Sequence, residues 1–243
     1  MKIYIPLLIF TFLTGACSKD KHCGCFDSNG DITTEIRSLS AFHELEVENV
    51  FDITLHIDSV PRISIKSGEH LFKGIETKVE NNRLYIKNKN KCNWARKYEG
   101  KIKLDIYTNE LTYIRLNESC DVKSKDTIVT NEIRVDDYAD ISTFDFWVKC
   151  STITFALHAG TGDITLRGNA GVSYFYSMGY GNFHFSEFPT DYCFITSKST
   201  GNCYVTVGNE IGATLNNSGN IYYSGNPDIV KVTQTGTGKL IKN

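Results

Sequence analysis

The sequence is poor in proline, methionine and tryptophan, and it carries no strong excess of either charge. Its 243 residues include 4 Pro, 2 Met and 2 Trp, against 13 Tyr and 14 Phe. Because tyrosine and phenylalanine favour strands, this composition predicts an all-β protein. The formal net charge is −2, and no block of basic residues is present. We therefore expect no binding of nucleic acid.

The sequence also lacks the short motifs of common enzymes. It has no Gly-x-Ser-x-Gly elbow, phosphate-binding loop or zinc-binding helix motif. A polysaccharide-degrading enzyme needs clustered carboxylates. The acidic residues of the second half follow no common spacing: Asp163, Glu187, Asp191, Glu210 and Asp228. We expect no catalytic residue, no metal and no cofactor, and we keep a polysaccharide-active enzyme as an alternative.

Two further groups of polar residues are candidates for chemistry. The densest acidic cluster is Asp136, Asp137 and Asp140. We expect its carboxylates to lie on a solvated face. His158 and His184 are isolated in the sequence, and we expect them at the surface or half-buried.

The N-terminus has the three parts of a secretory signal. A lysine at position 2 precedes an apolar run at 3–13, and Thr14-Gly15-Ala16 leads directly to Cys17. Small residues before a cysteine resemble a bacterial lipoprotein signal, which implies that Cys17 is lipidated. We predict a signal peptide at 1–16, a polar tether at 17–40 and a membrane partner reached through the lipid. The location is then the cell envelope, on the outer membrane, facing the surface or the periplasm. An ordinary cleaved signal is the alternative.

The region 41–118 alternates polar and apolar residues in short runs, as in Leu45-Glu46-Val47-Glu48. Alternation of this kind predicts strands with one face in a core. Asn81-Asn82 is typical of a hairpin turn, because asparagine tolerates positive φ. The irregular piece at 88–100 is rich in lysine and carries Trp94 and Tyr98.

The region 119–243 is a repeat. Small-Gly-polar phrases recur with glycines spaced 19, 20, 18 and 19 residues apart, at Gly162, Gly181, Gly201, Gly219 and Gly238. An acid or amide follows four of them, at Asp163, Asn182, Asn202 and Asn220. Extended backward, the same position reads Asp140 and Asp121, with one step of 23 residues.

A repeat of about 19 residues cannot bury its own apolar face, so neighbouring units must stack. We predict a parallel β-helix-like stack with turns at the repeat glycines, which we expect to adopt positive φ. The Asn and Asp side chains should form a ladder between coils. The region 41–118 should cap one end of the stack, and the lysines near the C-terminus should protect the other.

These features resemble the head GIN domain family. The likeness rests on Ser218-Gly219-Asn220-Ile221, its sister copies and the closing Thr-Gly-Thr-Gly-Lys-Leu at 235–240. The resemblance implies a right-handed β-helix-like fold and an exported, adhesin-like protein. It supplies no established ligand and no catalytic residue.

The aromatic residues at 174–194 fill the core or form an exposed strip that contacts a ligand. Candidate ligand contacts are Tyr174 and Tyr176, with Trp94 and Tyr98 as a second pair. We predict a non-catalytic, lipid-anchored, adhesin-like head that binds a glycan or a surface protein. A periplasmic scaffold protein is the alternative.

The lipid anchor can be tested by Cys17→Ala. We expect the variant with its own signal to lose signal processing, which changes its mobility on a gel. When the signal is also replaced by one without a lipid site, we expect the protein to leave the membrane fraction, because no acyl chain can be attached. Cell fractionation and gel mobility measure both effects. A variant that stays membrane-bound with unchanged mobility would contradict the prediction.

Overall fold

The structure is a computed structural model that describes residues 28–91 and 102–243. The predicted signal and Cys17 lie outside the described residues, as do Trp94 and Tyr98. The described residues contain no helix with the length and hydropathy needed to cross a bilayer. They form one 3₁₀-helix, Glu69–Gly74, and the following strands: β1 Ile32–Ser38, β2 Glu44–Glu48, β3 Asp52–Ile57, β4 Arg62–Gly68, β5 Ile75–Glu80, β6 Arg83–Asn88, β7 Lys103–Thr108, β8 Tyr113–Leu116, β9 Asp121–Ser124, β10 Ile128–Val129, β11 Glu132–Asp137, β12 Ile141–Leu157, β13 Thr161–Gly179, β14 Asn182–Ser199, β15 Cys203–Leu215, β16 Ile221–Ser224, β17 Ile229–Gln234 and β18 Leu240–Lys242.

Apart from β10, which pairs with Val148 and Lys149 in the middle of β12, the strands build two faces, and the long strands β12 to β15 belong to both. Face 1 contains the C-terminal halves of these strands, in the order β5, β6, β2, β8, β11, β12, β13, β14, β15, β17. Face 2 contains their N-terminal halves, in the order β1, β4, β7, β3, β9, β12, β13, β14, β15, β16, β18. The result is a β-solenoid of about six turns with stacked parallel coils. The predicted all-β stack is confirmed.

The core lies between the two faces, because alternate side chains of every strand point inward. On face 1, Phe155 pairs in register with Phe175, and both are buried. The ring of Phe155 meets Phe144 and Phe183 of face 2 edge-on, with centroids 5.1 and 5.8 Å apart. Cys203 takes an inward position in the column of Phe183 and is fully buried. Most of the phenylalanines therefore serve the core.

The N-terminal region caps one end of the stack, as predicted. The outermost parallel coil is β6 with β7, and the antiparallel strands β1, β4 and β5 extend both faces beyond it. The core positions of β6, Leu84 and Ile86, are fully buried. Ile63 and Ile65 of β4 and Leu71 of the 3₁₀-helix are also buried in this end of the core. Asn81 and Asn82 have φ of 49° and 66° and turn the chain between β5 and β6.

Two predicted boundaries need correction. Residues 32–38, assigned to the polar tether, form β1, which pairs antiparallel with β4. The parallel coils also begin before residue 119, because β2 pairs with β8 and β3 pairs with β9. The coil β2–β3 lies between β6–β7 and β8–β9. After β3 the chain therefore forms the strands at the capped end, and β8 then continues the stack on the other side of β2–β3.

The repeat glycines do not have the positive φ that we predicted. Positive φ occurs at other glycines, including Gly160 and Gly179. The repeat glycines are needed for a different reason, which is close approach of successive turns. A Cβ at Gly201 would lie 2.0 Å from the carbonyl oxygen of Gly181, and one at Gly219 would lie 2.1 Å from that of Gly201. No side chain fits between these stacked turns.

A ladder of asparagine side chains runs beside the glycines. The Oδ1 atom of Asn182 accepts a hydrogen bond from the backbone N–H of Asn202 at 2.9 Å. Asn202 Oδ1 accepts in the same way from Asn220 N–H at 2.9 Å. Asn220 Oδ1 accepts from Lys239 N–H, also at 2.9 Å. Each amide therefore ties its turn to the backbone of the next coil.

The backward extension of this ladder through Asp140 is wrong. Asp163 pairs in register with Thr143, and Thr143 pairs with Asp121. The Thr143 hydroxyl donates to Asp121 Oδ1 at 2.7 Å. Asp140 resembles the repeat because an apolar residue follows it, but that residue, Ile141, is 63% exposed. The regular position is thus taken by a threonine.

The close approach predicts a large cost for a side chain at the repeat glycines. We expect Gly201→Ala to lower the free energy of unfolding by about 3 kcal/mol, because the coils must move apart. Urea unfolding followed by circular dichroism measures this. Gly208→Ala is the control, since a Cβ there would lie no closer than 3.5 Å to another atom. Equal stability of Gly201→Ala and the wild type would contradict the stacking argument.

Candidate functional site

A groove of about 400 Å³ lies on the outer surface of face 1, across β12 to β15 and β17. Its lining combines aromatic rings, threonine hydroxyls and one lysine. The residues that line it are Thr154, Tyr174, Phe175, Tyr176, Phe194, Ile195, Thr196, Gly212, Ala213, Thr214, Lys231 and Thr233.

Two stacked rings form the aromatic side of the groove. Tyr174 of β13 pairs in register with Phe194 of β14, and their ring centroids lie 5.5 Å apart at an interplanar angle of 20°. Tyr174 is 47% exposed. Tyr176, two residues further on, is half-buried, and its hydroxyl donates to Met178 Sδ at 3.4 Å. The rings therefore reach solvent while their positions are set by the strand register.

The depth of the groove comes from Gly212, which follows Phe194 in the same column. A Cβ at Gly212 would lie 3.0 Å from Cδ1 of Phe194, so the phenyl ring leans over this backbone. Lys231 occupies the column on the next coil and donates from Nζ to Glu210 Oε1 at 2.8 Å. Gly212, which has no side chain, thus lies between the large side chains of Phe194 and Lys231.

Threonines form a second row beside this column. Thr196, Thr214 and Thr233 are in register on β14, β15 and β17. All three line the groove. Each hydroxyl can donate and accept a hydrogen bond. The groove therefore offers flat apolar surface on one side and a line of neutral polar groups on the other.

The structure brings together two of the four predicted ligand contacts. Tyr174 and Tyr176 lie at the groove, whereas Trp94 and Tyr98 fall outside the described residues. Sequence reasoning did not single out Gly212 or Lys231. Both could have been found by aligning successive coils, because they lie 18 and 37 residues after Phe194 in one column. The repeat-turn residues Gly162, Asp163, Gly181, Asn182, Gly201, Asn202, Gly219, Asn220 and Gly238 lie away from the groove and serve the stacking.

A second set of aromatic rings lies on the outer surface of face 2. His184, Tyr204 and Tyr222 stack one above the next, with centroids 5.9 and 5.0 Å apart and angles of 8° and 10°. His184 is exposed, as expected, and its ring also takes part in this stack. In this ladder the stack of rings continues through all three coils, whereas the stack of Tyr174 and Phe194 ends at Gly212, which carries no side chain.

Asp136 is the centre of a hydrogen-bonded cluster on face 1, contrary to the solvated position expected from the sequence. It is 2% exposed. Arg134 donates to both of its oxygens, and His158 Nε2 lies 2.8 Å from Oδ1. Burial raises the pKa of Asp136, but the hydrogen bonds from Arg134 and His158 outweigh burial and hold it below its ordinary value. The His158 ring also stacks on Tyr138 at 4.2 Å.

Asp137 points to the other side of β11 and is fully buried. Its Oδ1 accepts hydrogen bonds from Ala139 N–H at 3.1 Å and from the Ser142 hydroxyl at 3.3 Å. Its Oδ2 is buried without a hydrogen-bond partner. Burial raises the pKa of Asp137 to about 6, and the two hydrogen bonds only partly oppose this effect. The expectation of a solvated face is wrong for Asp137 as well.

Within 28–91 and 102–243, no three side chains of His, Cys, Asp or Glu gather where they could hold a metal ion. The groove itself is lined by neutral groups and Lys231. Its chemistry is that of a binding surface for a ligand with flat apolar faces and hydroxyl groups.

The chain matches a known family and several solved structures. The family model described as "Putative auto-transporter adhesin, head GIN domain" matches residues 41–227. None of the curated proteins matches the chain.

Three solved structures share the fold. A "putative adhesin" from Bacteroides fragilis has a TM-score of 0.80 and 18% identity, covering 88% of this chain and 97% of its own. A "putative adhesin" from Parabacteroides merdae has a TM-score of 0.63 and 19% identity, with coverage of 88% and 98%. A "putative lipid binding protein" from Parabacteroides distasonis has a TM-score of 0.62 and 18% identity, with coverage of 89% and 98%.

The raised pKa of Asp137 predicts a pH-dependent stability. The folded state binds this proton more tightly than the unfolded state, so the contribution of Asp137 to stability is full below about pH 4 and is lost as the pH rises from there through about 6. We expect a loss of roughly 3 kcal/mol over this range from the shift of about 2 pKa units. Asp137→Asn should remove this loss, since an amide does not titrate.

Urea unfolding at pH 4 to 8 measures the effect. Asp140→Asn is the matched control, because Asp140 is exposed and should leave the pH dependence in place. If Asp137→Asn keeps the same slope against pH as the wild type, Asp137 is not the titrating group.

Proposed function

Because the chain belongs to the head GIN domain family, we propose that it is a non-catalytic, adhesin-like protein of the cell envelope whose groove on face 1 binds a glycan. The observation that carries this proposal is the groove itself. It places the stacked rings of Tyr174 and Phe194 opposite Lys231 across the bare backbone of Gly212.

The lining fits a sugar in two respects. A pyranose ring has a flat apolar side that packs against aromatic rings, and Tyr174 and Phe194 supply such rings. Its hydroxyl groups need hydrogen-bond partners when they leave water, and the row of Thr196, Thr214 and Thr233 supplies them. The rows are two residues apart along the same strands, about 6.6 Å, so a single sugar can reach both rings and hydroxyls.

The groove supports binding rather than hydrolysis. Cleavage of a glycosidic bond requires two carboxyl groups that flank it. The twelve lining residues, all in the described part of the chain, include no Asp or Glu. Glu210, on the preceding coil, accepts a hydrogen bond from Lys231. This arrangement leaves Lys231 as the charged group at the rim, where it can meet an anionic substituent of the ligand.

The proposal includes attachment to the outer membrane through a lipid on Cys17. Its basis is the pattern of an apolar run and small residues that ends at Cys17. The strand β1 starts at Ile32, so a short segment joins the lipid to the capped end of the solenoid. The groove involves β17, at the opposite end of the stack, and would therefore lie far from the membrane.

The groove can be tested with a panel of immobilised neutral and acidic oligosaccharides and the purified protein. We expect binding to at least one of them. Tyr174→Ala and Phe194→Ala should each raise the dissociation constant about tenfold, because a lost ring contact is worth about 1.4 kcal/mol. Titration by surface plasmon resonance measures the change.

Tyr180→Ala is the control, since this tyrosine is 67% exposed and does not line the groove. It should bind as the wild type does. Two outcomes would overturn the proposal: no binding to any oligosaccharide, or equal binding by Tyr174→Ala, Phe194→Ala and the wild type.

A further inference from the structure

The two ends of the solenoid differ in how their cores are covered. At the capped end, the core positions of the last parallel coil are fully buried. At the other end, the last coil is β17 with β18, and every residue of β17 is exposed. Val230 and Val232 stand in the same inward columns as the buried residues Ile211 and Ala213, yet they are 46% and 49% exposed. The apolar core is therefore open at this end.

The backbone of β17 is open as well. In the described residues, β15 is the only strand that pairs with β17. Thr235 N–H donates to the carbonyl of Leu215. Because backbone N–H and C=O groups point to alternate sides of a strand, this bond tells which residues of β17 face β15. Thr233 and Lys231 then direct their backbone groups toward β15, whereas Val230, Val232 and Gln234 direct theirs to the free edge. The edge thus offers both hydrogen-bonding groups and apolar side chains.

The usual protection of an edge strand is missing from β17. Edge strands are commonly blocked by proline, by a bulge or by an inward-pointing charge. The segment Ile229–Gln234 contains none of these. Its single lysine, Lys231, points outward and is held back by Glu210 of the preceding coil. The expectation that terminal lysines protect this end does not hold for β17.

Neither residues 92–101 nor residues 17–27 are long enough to reach this edge from the capped end. The ten residues 92–101 begin and end at the capped end, so they reach out about 18 Å at most. The path on face 1 from β6 to β17 crosses eight strand spacings, or about 38 Å. Residues 17–27, which remain after the predicted signal cleavage, span at most about 40 Å. The ten spacings from β1 to β18 on face 2 amount to about 48 Å.

We propose that β17 pairs with β17 of a second copy of this protein, antiparallel and about a two-fold axis at Val232. This register places Val232 opposite Val232 of the partner, and Val230 opposite Gln234. About six backbone hydrogen bonds then form from groups that are otherwise unpaired. Lys231 lies opposite Thr233, so no like charges face each other. The two open cores become one.

The pairing has a consequence for the groove. A two-fold axis that passes through the faces keeps face 1 of both copies on the same side. Because Lys231 and Thr233 line the groove, the two grooves lie next to each other across the new contact. A dimer therefore presents two neighbouring sites, which strengthens attachment to a repetitive ligand without any new contact. The dimer itself does not depend on what the groove binds.

The first test is the mass of the purified protein in solution, measured by sedimentation equilibrium over a range of concentrations. We expect a dimer. Val232→Lys should raise the dissociation constant of the dimer at least tenfold, because it places a charge at the centre of the contact. Val129→Lys is the control, because it is the same substitution at an exposed valine far from β17. A monomeric wild type, or a dimer unaffected by Val232→Lys, would overturn the proposal.

The second test fixes the register and does not depend on the stability of the lysine variant. Residues that form a hydrogen-bonded antiparallel pair have Cα atoms about 5.5 Å apart, within the range of a disulfide. Val232→Cys should therefore form a covalent dimer under mild oxidation, beyond the level seen for the wild type. Val230→Cys should not, since the two copies of residue 230 would lie about 14 Å apart. The opposite result on a non-reducing gel would rule out the two-fold axis at Val232.

Discussion

The structure depends on the close stacking of successive coils, which is held by backbone hydrogen bonds between parallel strands. The turns must come as close as the strands do, and the repeat glycines make this possible. A Cβ at Gly201 or Gly219 would lie about 2 Å from a carbonyl oxygen of the coil below. Beside them, the amides of Asn182, Asn202 and Asn220 satisfy backbone N–H groups of the next coil. Stacking thus places each side chain directly over another from the neighbouring coil.

The outer surface follows from this vertical alignment. A solenoid surface has relief only where side chains of different size stand in one column. The column of Tyr174, Phe194, Gly212 and Lys231 passes from large side chains to none and back, and the groove lies there. On face 2, the rings of Tyr204 and its neighbours have similar size and simply stack. Shape, rather than the number of aromatic residues, distinguishes a binding surface from a structural ladder.

A stack of coils has a terminal coil at each end whose core residues must be covered, and the two ends of this solenoid differ in how this is done. The antiparallel strands β1, β4 and β5 close the end that leads to the N-terminus. The other end keeps the inward columns open at Val230 and Val232. With the proposed lipid anchor near the N-terminus, the capped end would face the membrane and the groove near the open end would face away from it. Pairing at β17 would complete the core and bring two grooves together.

The sequence by itself determined the all-β class, the stacked coils of about 19 residues and the capping role of the N-terminal region. These properties follow from local patterns, namely the alternation of polar and apolar residues and the spacing of the glycines. Only the tertiary structure decided which residues share a column. The register step varies from 17 to 22 residues, so Thr143 takes the place of Asp140 in the ladder, Asp137 is buried, and Gly212 pairs with Phe194. Contacts between residues of neighbouring coils depend on the hydrogen-bond register between distant segments, which no local pattern specifies.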